Sequence, residues 1–237
     1  MTTLDLTLPD LEENLALDEA LLLEAEEGRG GEILRFWEWP EYAVVLGAGG
    51  QMNLDVNEAA CRTDGVPIAR RASGGGTVLL GRGSLVFTLV LSYSRAKELR
   101  DLSSSYRWIM SKLAQALQPI GHVEHVGICD LAVAGRKISG NAQQRKREFL
   151  LHHGTILYDF DLPRIETYLH LPKRQPDYRA GRSHGEFVTN LDSTSANIRE
   201  LLRGAWEIEG DALDWPGERT AALVSEKYRS PEWVHRL

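Results

Sequence analysis

The chain has 237 residues, 43% apolar and 26% charged, with a formal net charge of -7. These proportions are ordinary for a globular protein with a full core, and the acidic balance argues against nonspecific nucleic-acid binding, which runs on clustered Lys and Arg. Two cysteines, Cys61 and Cys129, imply no disulfide framework, no stretch reaches the roughly 20 apolar residues of a membrane span, and the N-terminus lacks a signal-peptide pattern, so the expected location is cytoplasmic.

In chain order, residues 14–27 read as a helix with Leu17, Ala20 and Leu21 on one face and Gly28 as its stop. Residues 33–37 and 42–46 read as two strands joined by a turn at Trp39-Pro40-Glu41. A short strand over 66–70 leads into a glycine run, and 85–91 is an apolar strand. Tyr106, Ile109, Met110, Leu113 and Leu117 form a helical stripe. Strands over 131–133 and 137–139 flank a tight turn at Ala134-Gly135, and 150–158 is a further strand. Residues 161–169 form a helix with Pro163 in its first turn. Helical patterns return over 196–205 and 219–227. Hairpin-like spacing with irregularly interspersed helices predicts an α+β fold with a mixed, mostly antiparallel sheet, and one domain over 1–237.

The run Arg70-Arg71-Ala72-Ser73-Gly74-Gly75-Gly76-Thr77-Val78 sets two cations before three glycines. Glycine lets a ligand approach the backbone, and successive N–H groups can converge on anionic oxygen. A flexible turn with solvated arginines is the plainer reading. Neither G-x-x-x-x-G-K-[ST] nor G-x-G-x-x-G occurs, so a nucleotide site here is of another kind.

A second segment, residues 127–142, carries Lys137 between Gly135 and Ser139-Gly140. Arg136, Lys137, Arg145, Lys146 and Arg147 gather positive charge in an acidic chain, which suits an anionic ligand or an acidic docking partner. A lysine at a strand end facing a cleft can hold developing negative charge, although a solvated lysine is the common case. His152-His153-Gly154-Thr155 is a polar insertion in an apolar run, and paired histidines are often structural. His122, His125 and Cys129 have a zinc-compatible spacing without a clear fourth ligand. Residues 175–184, with Arg179 and Arg182, read equally as a substrate-covering loop or a solvated connector.

Together these segments resemble the lipoate–protein ligase A family, within the biotin and lipoate ligases and octanoyltransferases. The resemblance rests on Asn14-Leu-Ala-Leu-Asp-Glu19, Arg70-Arg71-x-Ser-Gly-Gly-Gly76, Asp130-Leu…Gly135-Arg-Lys-Ile-Ser-Gly140-x-Ala142-Gln143 and His153-Gly-Thr155, in the family's order over about two thirds of the chain. It implies a class II synthetase-like fold with helices packed on one side of the sheet. It also implies a reaction in which ATP and magnesium convert lipoate to lipoyl-adenylate, followed by transfer to a lysine of an acceptor. That acceptor would be a lipoyl domain, of the 2-oxoacid dehydrogenase E2 or glycine-cleavage H protein type.

By the same resemblance, Arg71 and the backbone of Gly75, Gly76, Thr77, Val78 and Leu79 would hold the nucleotide phosphates. Lys137 would contact both the lipoate carboxylate and the α-phosphate. Ser73, Gly74, Gly140 and His153 would line the lipoate site, and Asp130 would help place magnesium. The chain departs from the family at Leu80-Gly-Arg-Gly-Ser84, where ligases often carry His-Asp-x-Gly-Asn, and at Cys129-Asp130, where they carry Asn-Asp. No C-terminal accessory domain is expected, so a separate subunit would supply that function or it is not needed. The alternatives are an ATP-independent octanoyl or lipoyl transferase with Cys129 as nucleophile, or a lipoate-binding protein without catalysis. In related transferases the cysteine falls elsewhere relative to the lysine.

Overall fold

The computed structural model describes residues Met1–Arg236, and all that follows concerns them. The chain opens with strand β1 (Thr2–Asp5), helix α1 (Leu11–Glu26), β2 (Ile33–Glu38), β3 (Ala43–Leu46), and short helices α2 (Met52–Asp55) and α3 (Glu58–Asp64). Strands β4 (Ile68–Arg70), β5 (Val78–Leu80) and β6 (Ser84–Ser92) follow, then helix α4 (Leu102–Leu117). Next come β7 (Val123–Val126), β8 (Asp130–Val133), β9 (Arg136–Arg145) and β10 (Phe149–Leu157). The chain continues through α5 (Pro163–Tyr168), α6 (His184–Phe187), α7 (Ser195–Gly204), β11 (Gly210–Asp211), α8 (Gly217–Leu223) and α9 (Pro231–Val234).

A large sheet runs in the order β11-β1-β2-β6-β10-β9-β8-β7, with β1 parallel to both its neighbours and every other pairing antiparallel. A small sheet runs β4-β3-β5, with β4 parallel and β5 antiparallel to β3. The fold is thus α+β with mixed sheets, as expected.

The turn at residues 39–41 does not make a hairpin. β2 pairs with β6 in the large sheet, whereas β3 is the centre of the small one. β3 is buried at all four positions, so it has no polar face to show as an edge partner of β2. Apolar runs without alternation carry no pairing information.

Helices also cover both faces of the large sheet, not one. Leu85, Phe87, Leu89 and Leu91 of β6 pack with Ile109, Met110 and Leu113 of α4 and with Ile198 and Leu202 of α7. On the opposite face Val90 packs against Leu17, Leu21 and Leu22 of α1. Alternation along one strand sends successive side chains to opposite sides. β6 is buried at every position from Ser84 to Leu91, as a central strand covered on both faces must be.

Helix α1 begins at Leu11, three residues before the expected start, because Asp10 caps it: Glu13 Oε2 accepts from the Asp10 N–H at 3.4 Å. Its second side is closed by the C-terminal segment. Glu19 accepts from Lys227 Nζ at 2.7 Å and from the Tyr228 hydroxyl at 2.8 Å. Further on, Trp233 Nε1 donates to the Arg70 carbonyl at 2.9 Å, and Arg70 Nη2 donates to the Val234 carbonyl at 2.8 Å. The chain end therefore buttresses the strand that leads into the glycine run. The β8–β9 turn at Ala134-Gly135 has the expected two residues, both left-handed (φ 48° and 70°), the geometry that matches the twist of a hairpin.

Candidate functional site

A cavity of about 160 Å³ lies where the small sheet meets the large one. Its apolar wall comes from Leu15 of α1, Trp37 of β2, Val45 of β3, Val78 and Leu80 of β5, and Val86 of β6. Its polar mouth is made by Gly75, Gly76 and Thr77, by Cys129 and Asp130, by Lys137, Gly140 and Asn141 of β9, and by His153 and Thr155 of β10. Two segments read separately from the sequence thus face one space.

Lys137 does not point free into that space. Its Nζ lies 2.8 Å from Asp130 Oδ1 across the β8–β9 ladder, with side-chain exposures of 29% and 9%. The second Asp130 oxygen accepts from the Tyr178 hydroxyl, also at 2.8 Å. Gly140 is needed beside this pair, because a Cβ there would come within 2.7 Å of Lys137 Nζ. Tyr178 belongs to the 175–184 segment, which covers the site: its ring packs on Gly127 and on Phe187, and Arg182 Nη2 reaches the Gly135 carbonyl at 3.0 Å.

Arg71 lines the cavity, but its donors turn toward the chain itself. Nη2 donates to the carbonyls of Gly74 (2.6 Å) and Gly76 (2.8 Å), Nη1 to that of Val45 (3.3 Å), and Nε to Ser73 Oγ (3.0 Å). Four of the five guanidinium N–H groups thus clamp the glycine loop and its surroundings. Burial lowers its pKa to about 10, which leaves it charged at neutral pH. Arg70 behaves similarly, holding the carbonyls of Gly47 and Gly50. With Gly75 left-handed at φ 88°, the loop curls so that a Cβ on Gly47 would stand 2.2 Å from the Gly75 carbonyl oxygen.

His153 joins this loop to the large sheet. Its Nε2 lies 2.5 Å from Ser73 Oγ and its Nδ1 lies 3.4 Å from Asp18 Oδ2. Asp18 in turn holds Arg35 at 2.5 Å and accepts from Thr88 at 2.8 Å. Burial lowers the His153 pKa despite Asp18, so the ring is neutral, donates from Nδ1 to Asp18, and accepts from Ser73. The order of groups resembles a hydrolase triad. However, Ser73 is only 1% exposed, its oxygen already accepts from Arg71 Nε, and it is absent from the cavity wall. The arrangement anchors the loop. His152, on the other face of β10, accepts from Gln143 and donates to Asn141 Oδ1, each at 3.3 Å, and burial depresses its pKa to about 3.

Several expected roles change with the geometry. The Leu79 side chain points into the core with Val44 and Leu46, while Val78 and Leu80 face the cavity, as strand alternation requires, so Leu79 could contribute only its backbone, the role expected of it. Gly74 is exposed and Ser73 buried behind the loop, so neither lines the wall. Cys129 does line the mouth, but burial and then the Asp130 charge raise its thiol pKa against the opposing pull of Lys137. Among the described residues no three His, Cys, Asp or Glu side chains converge as a metal site. His122 faces Glu124 and His125 faces the Ile128 carbonyl instead of Cys129, and both Asp130 oxygens are engaged, so the side chains do not fit a dedicated magnesium cage. The basic cluster at 145–147 lies at the far end of β9. Arg145 lies eight positions beyond Lys137, about 26 Å of strand, and is held by the carbonyls of Leu99 and Arg100.

Asp18, Arg35, Asn141 and Tyr178 were not anticipated. Asn14 and Asp18 are one helical turn apart on α1 and both are buried; among the several acidic residues of that helix nothing local marks these two as the buried ones.

The family model for the lipoyl protein ligase A/B catalytic domain matches residues 10–201. The chain is 28% identical over 258 aligned residues to an octanoyltransferase LipM from Carboxydothermus hydrogenoformans, with 95% of this chain and 94% of that protein covered. Among solved structures it resembles the bi-partite lipoate protein ligase of Thermoplasma acidophilum, studied with its E2 lipoyl domain (TM-score 0.82, 23% identity, 99% of this chain and 95% of that one). It also resembles a lipoate-protein ligase A crystallised with ATP (TM-score 0.79, 23% identity, all of both chains). At these identities the two structures show the fold.

Proposed function

The chain belongs to the lipoyl protein ligase A/B catalytic domain family, and from that premise we propose that it is a lipoate–protein ligase. It activates lipoate or octanoate with ATP and passes the acyl group to a lysine of a lipoyl-domain acceptor. One observation carries this reading: Lys137 stands at the polar mouth of an apolar slot and already holds a carboxylate, that of Asp130, at 2.8 Å. An eight-carbon carboxylic acid suits both ends. Burying its seven apolar carbons is worth at most about 6 kcal/mol, and Lys137 offsets the desolvation of the head group.

The glycine loop supports nucleotide binding. Gly74 and Gly76 have open space where a side chain would stand, and Arg71 fixes the loop from behind so that backbone N–H groups are free to face phosphate. ATP supplies a phosphate leaving group for the acyl carbon. The chain's part is to hold the carboxylate against the α-phosphate with Lys137, stabilise the charge that develops there, and exclude water with the 175–184 segment. Magnesium would arrive with the phosphates, as it commonly does.

A second reading is an ATP-independent octanoyl transferase, favoured by the LipM relative that aligns over nearly the full chain. Cys129 would have to be the nucleophile, and its raised thiol pKa weighs against that. Lipoate-dependent exchange of pyrophosphate into ATP tests the choice. Exchange that is lost in Lys137→Ala and kept in Cys129→Ala supports the ligase. Absence of exchange together with an octanoyl mass shift on Cys129 overturns it. An accessory subunit, as in the bi-partite Thermoplasma ligase, would be supplied in the same assay.

A further inference from the structure

The acceptor's reacting group arrives as a lysine ammonium, and the mouth already contains the Lys137 cation. Two like charges in one small mouth repel, and a buried cation without a partner is costly. Some group at the mouth must accept the second ammonium. The geometry points to Asp130, held by Tyr178, as the subsite for the acceptor lysine, an inference that rests on the lysine-modifying reading above.

Among the residues lining the cavity, Asp130 is the one carboxylate. Its two oxygens have different partners: Oδ1 faces Lys137 and Oδ2 faces the Tyr178 hydroxyl. When the substrate's carboxylate or phosphate takes Lys137, Oδ1 loses its cation while Oδ2 keeps its donor. Asp130 is then a positioned carboxylate with one free oxygen beside the acyl carbon. Gly140 leaves Lys137 room to make the exchange. The hydroxyl donor on Oδ2 keeps the carboxylate from following Lys137. Tyr178 is itself set by its ring contacts with Gly127 and Phe187 and by Arg182 Nη2 on its carbonyl at 2.7 Å. Ile128, two residues before Asp130, is 75% exposed, so an apolar side chain stands at the rim where the acceptor would arrive.

In this arrangement Asp130 draws the ammonium in and aligns the nitrogen. One ammonium proton passes to water first, and the neutral lysine nitrogen then forms the C–N bond as the C–O bond to the phosphate breaks. The electron pair of that bond leaves on AMP, and the second surplus proton on nitrogen also goes to water. Asp130 binds the nucleophile, and Tyr178 is a positioning residue acting through it.

The test compares two nucleophiles in single turnovers with enzyme in excess over synthetic lipoyl-adenylate. A lipoyl-domain lysine needs an ammonium subsite, whereas hydroxylamine is neutral at pH 7.5 and does not. Asp130→Asn should lower the ratio of amide to hydroxamate about 100-fold, the scale of a charge-assisted contact. Tyr178→Phe keeps the ring contacts and should lower the ratio about 10-fold, with the acceptor needed at higher concentration to saturate the single-turnover rate while the hydroxamate rate is kept. Equal losses with both nucleophiles, or an unchanged ratio in Asp130→Asn, would overturn the assignment. Hydroxamate formation from lipoate and ATP by the unaltered protein reports separately on the ligase reading. Its absence would sink that reading and leave the adenylate-based comparison intact.

Discussion

Ser73 Oγ and His153 Nε2 lie 2.5 Å apart, so the glycine loop is fastened to the central part of the large sheet. The fastening continues inward through Asp18 to Arg35 and Thr88. The loop's conformation therefore depends on a buried, neutral imidazole and not on surface contacts.

Acid should loosen this part first. His152, at about 3, and His153 both have pKa values lowered by burial. A depressed imidazole takes up its proton more readily unfolded, so the stability is present above the unfolded value near 6.5 and is lost as pH falls. For His152 the loss at pH 5 is about 2 kcal/mol. Asp18 is also lowered, because Arg35 and its hydrogen bonds outweigh the opposing effect of burial. Its contribution persists to about pH 4 and disappears below. Denaturant midpoints from pH 8 to pH 3 should fall in these two stages. A flat profile between 7 and 5 would contradict the neutral-imidazole assignment.

Lys137→Ala should cut acyl transfer about 1,000-fold, the size of one lost electrostatic contact in a transition state. The thermal midpoint should move by only a few degrees, since Asp130 retains Tyr178. A rate within tenfold of wild type would remove Lys137 from the chemistry.

Arg71→Leu should act chiefly on folding. It strips donors from the carbonyls of Gly74, Gly76 and Val45, at a cost of about 3 kcal/mol and a midpoint drop of roughly 10 °C. Arg71→Lys should recover little, because an ammonium cannot fork between those acceptors. Full stability with weakened ATP binding would instead identify Arg71 as a phosphate ligand.

Cys129 should alkylate with iodoacetamide at pH 7.5 more slowly than free cysteine, because its thiol is held protonated by burial and by Asp130. Peptide mass spectrometry separates it from Cys61. Faster labelling than free cysteine would favour the transferase.

Gly154→Ala would place a Cβ 2.0 Å from Asn141 Oδ1 and 2.9 Å from the Gly140 carbonyl. Expected consequences are a loss of more than about 2 kcal/mol and displaced mouth residues. Gly185→Ala, with only a 3.7 Å contact to Glu166, serves as the comparison. Equal behaviour of the two variants would show that β9 gives way easily at this point.

Much of the fold was legible because its signals are local. β6 is a continuous apolar run, α4 carries a clear stripe, and Ala134-Gly135 is a two-residue turn. β9 was legible only at its start. Residues 140–145 are mostly polar, yet they pair with β10 throughout, since Asn141, Gln143 and Arg145 serve the hydrogen bonds around the site. β5 is three residues long and was hidden behind the glycine run. For the site, Lys137, Asp130 and the glycines stood out by type and spacing. The direction of the Arg71 donors and the reach of Tyr178 over 48 positions to Asp130 depend on tertiary approach, which no local pattern encodes.

The division of β2 and β3 between two sheets has a consequence for selectivity. Trp37 and Val45 line the apolar slot from different sheets although only eight positions separate them. The bore therefore lies in one apolar cluster to which both sheets contribute. Substitutions in the 39–41 turn or at the Val234 brace of Arg70 are expected to shift one sheet against the other and alter the accepted tail length, with every residue of the bore unchanged.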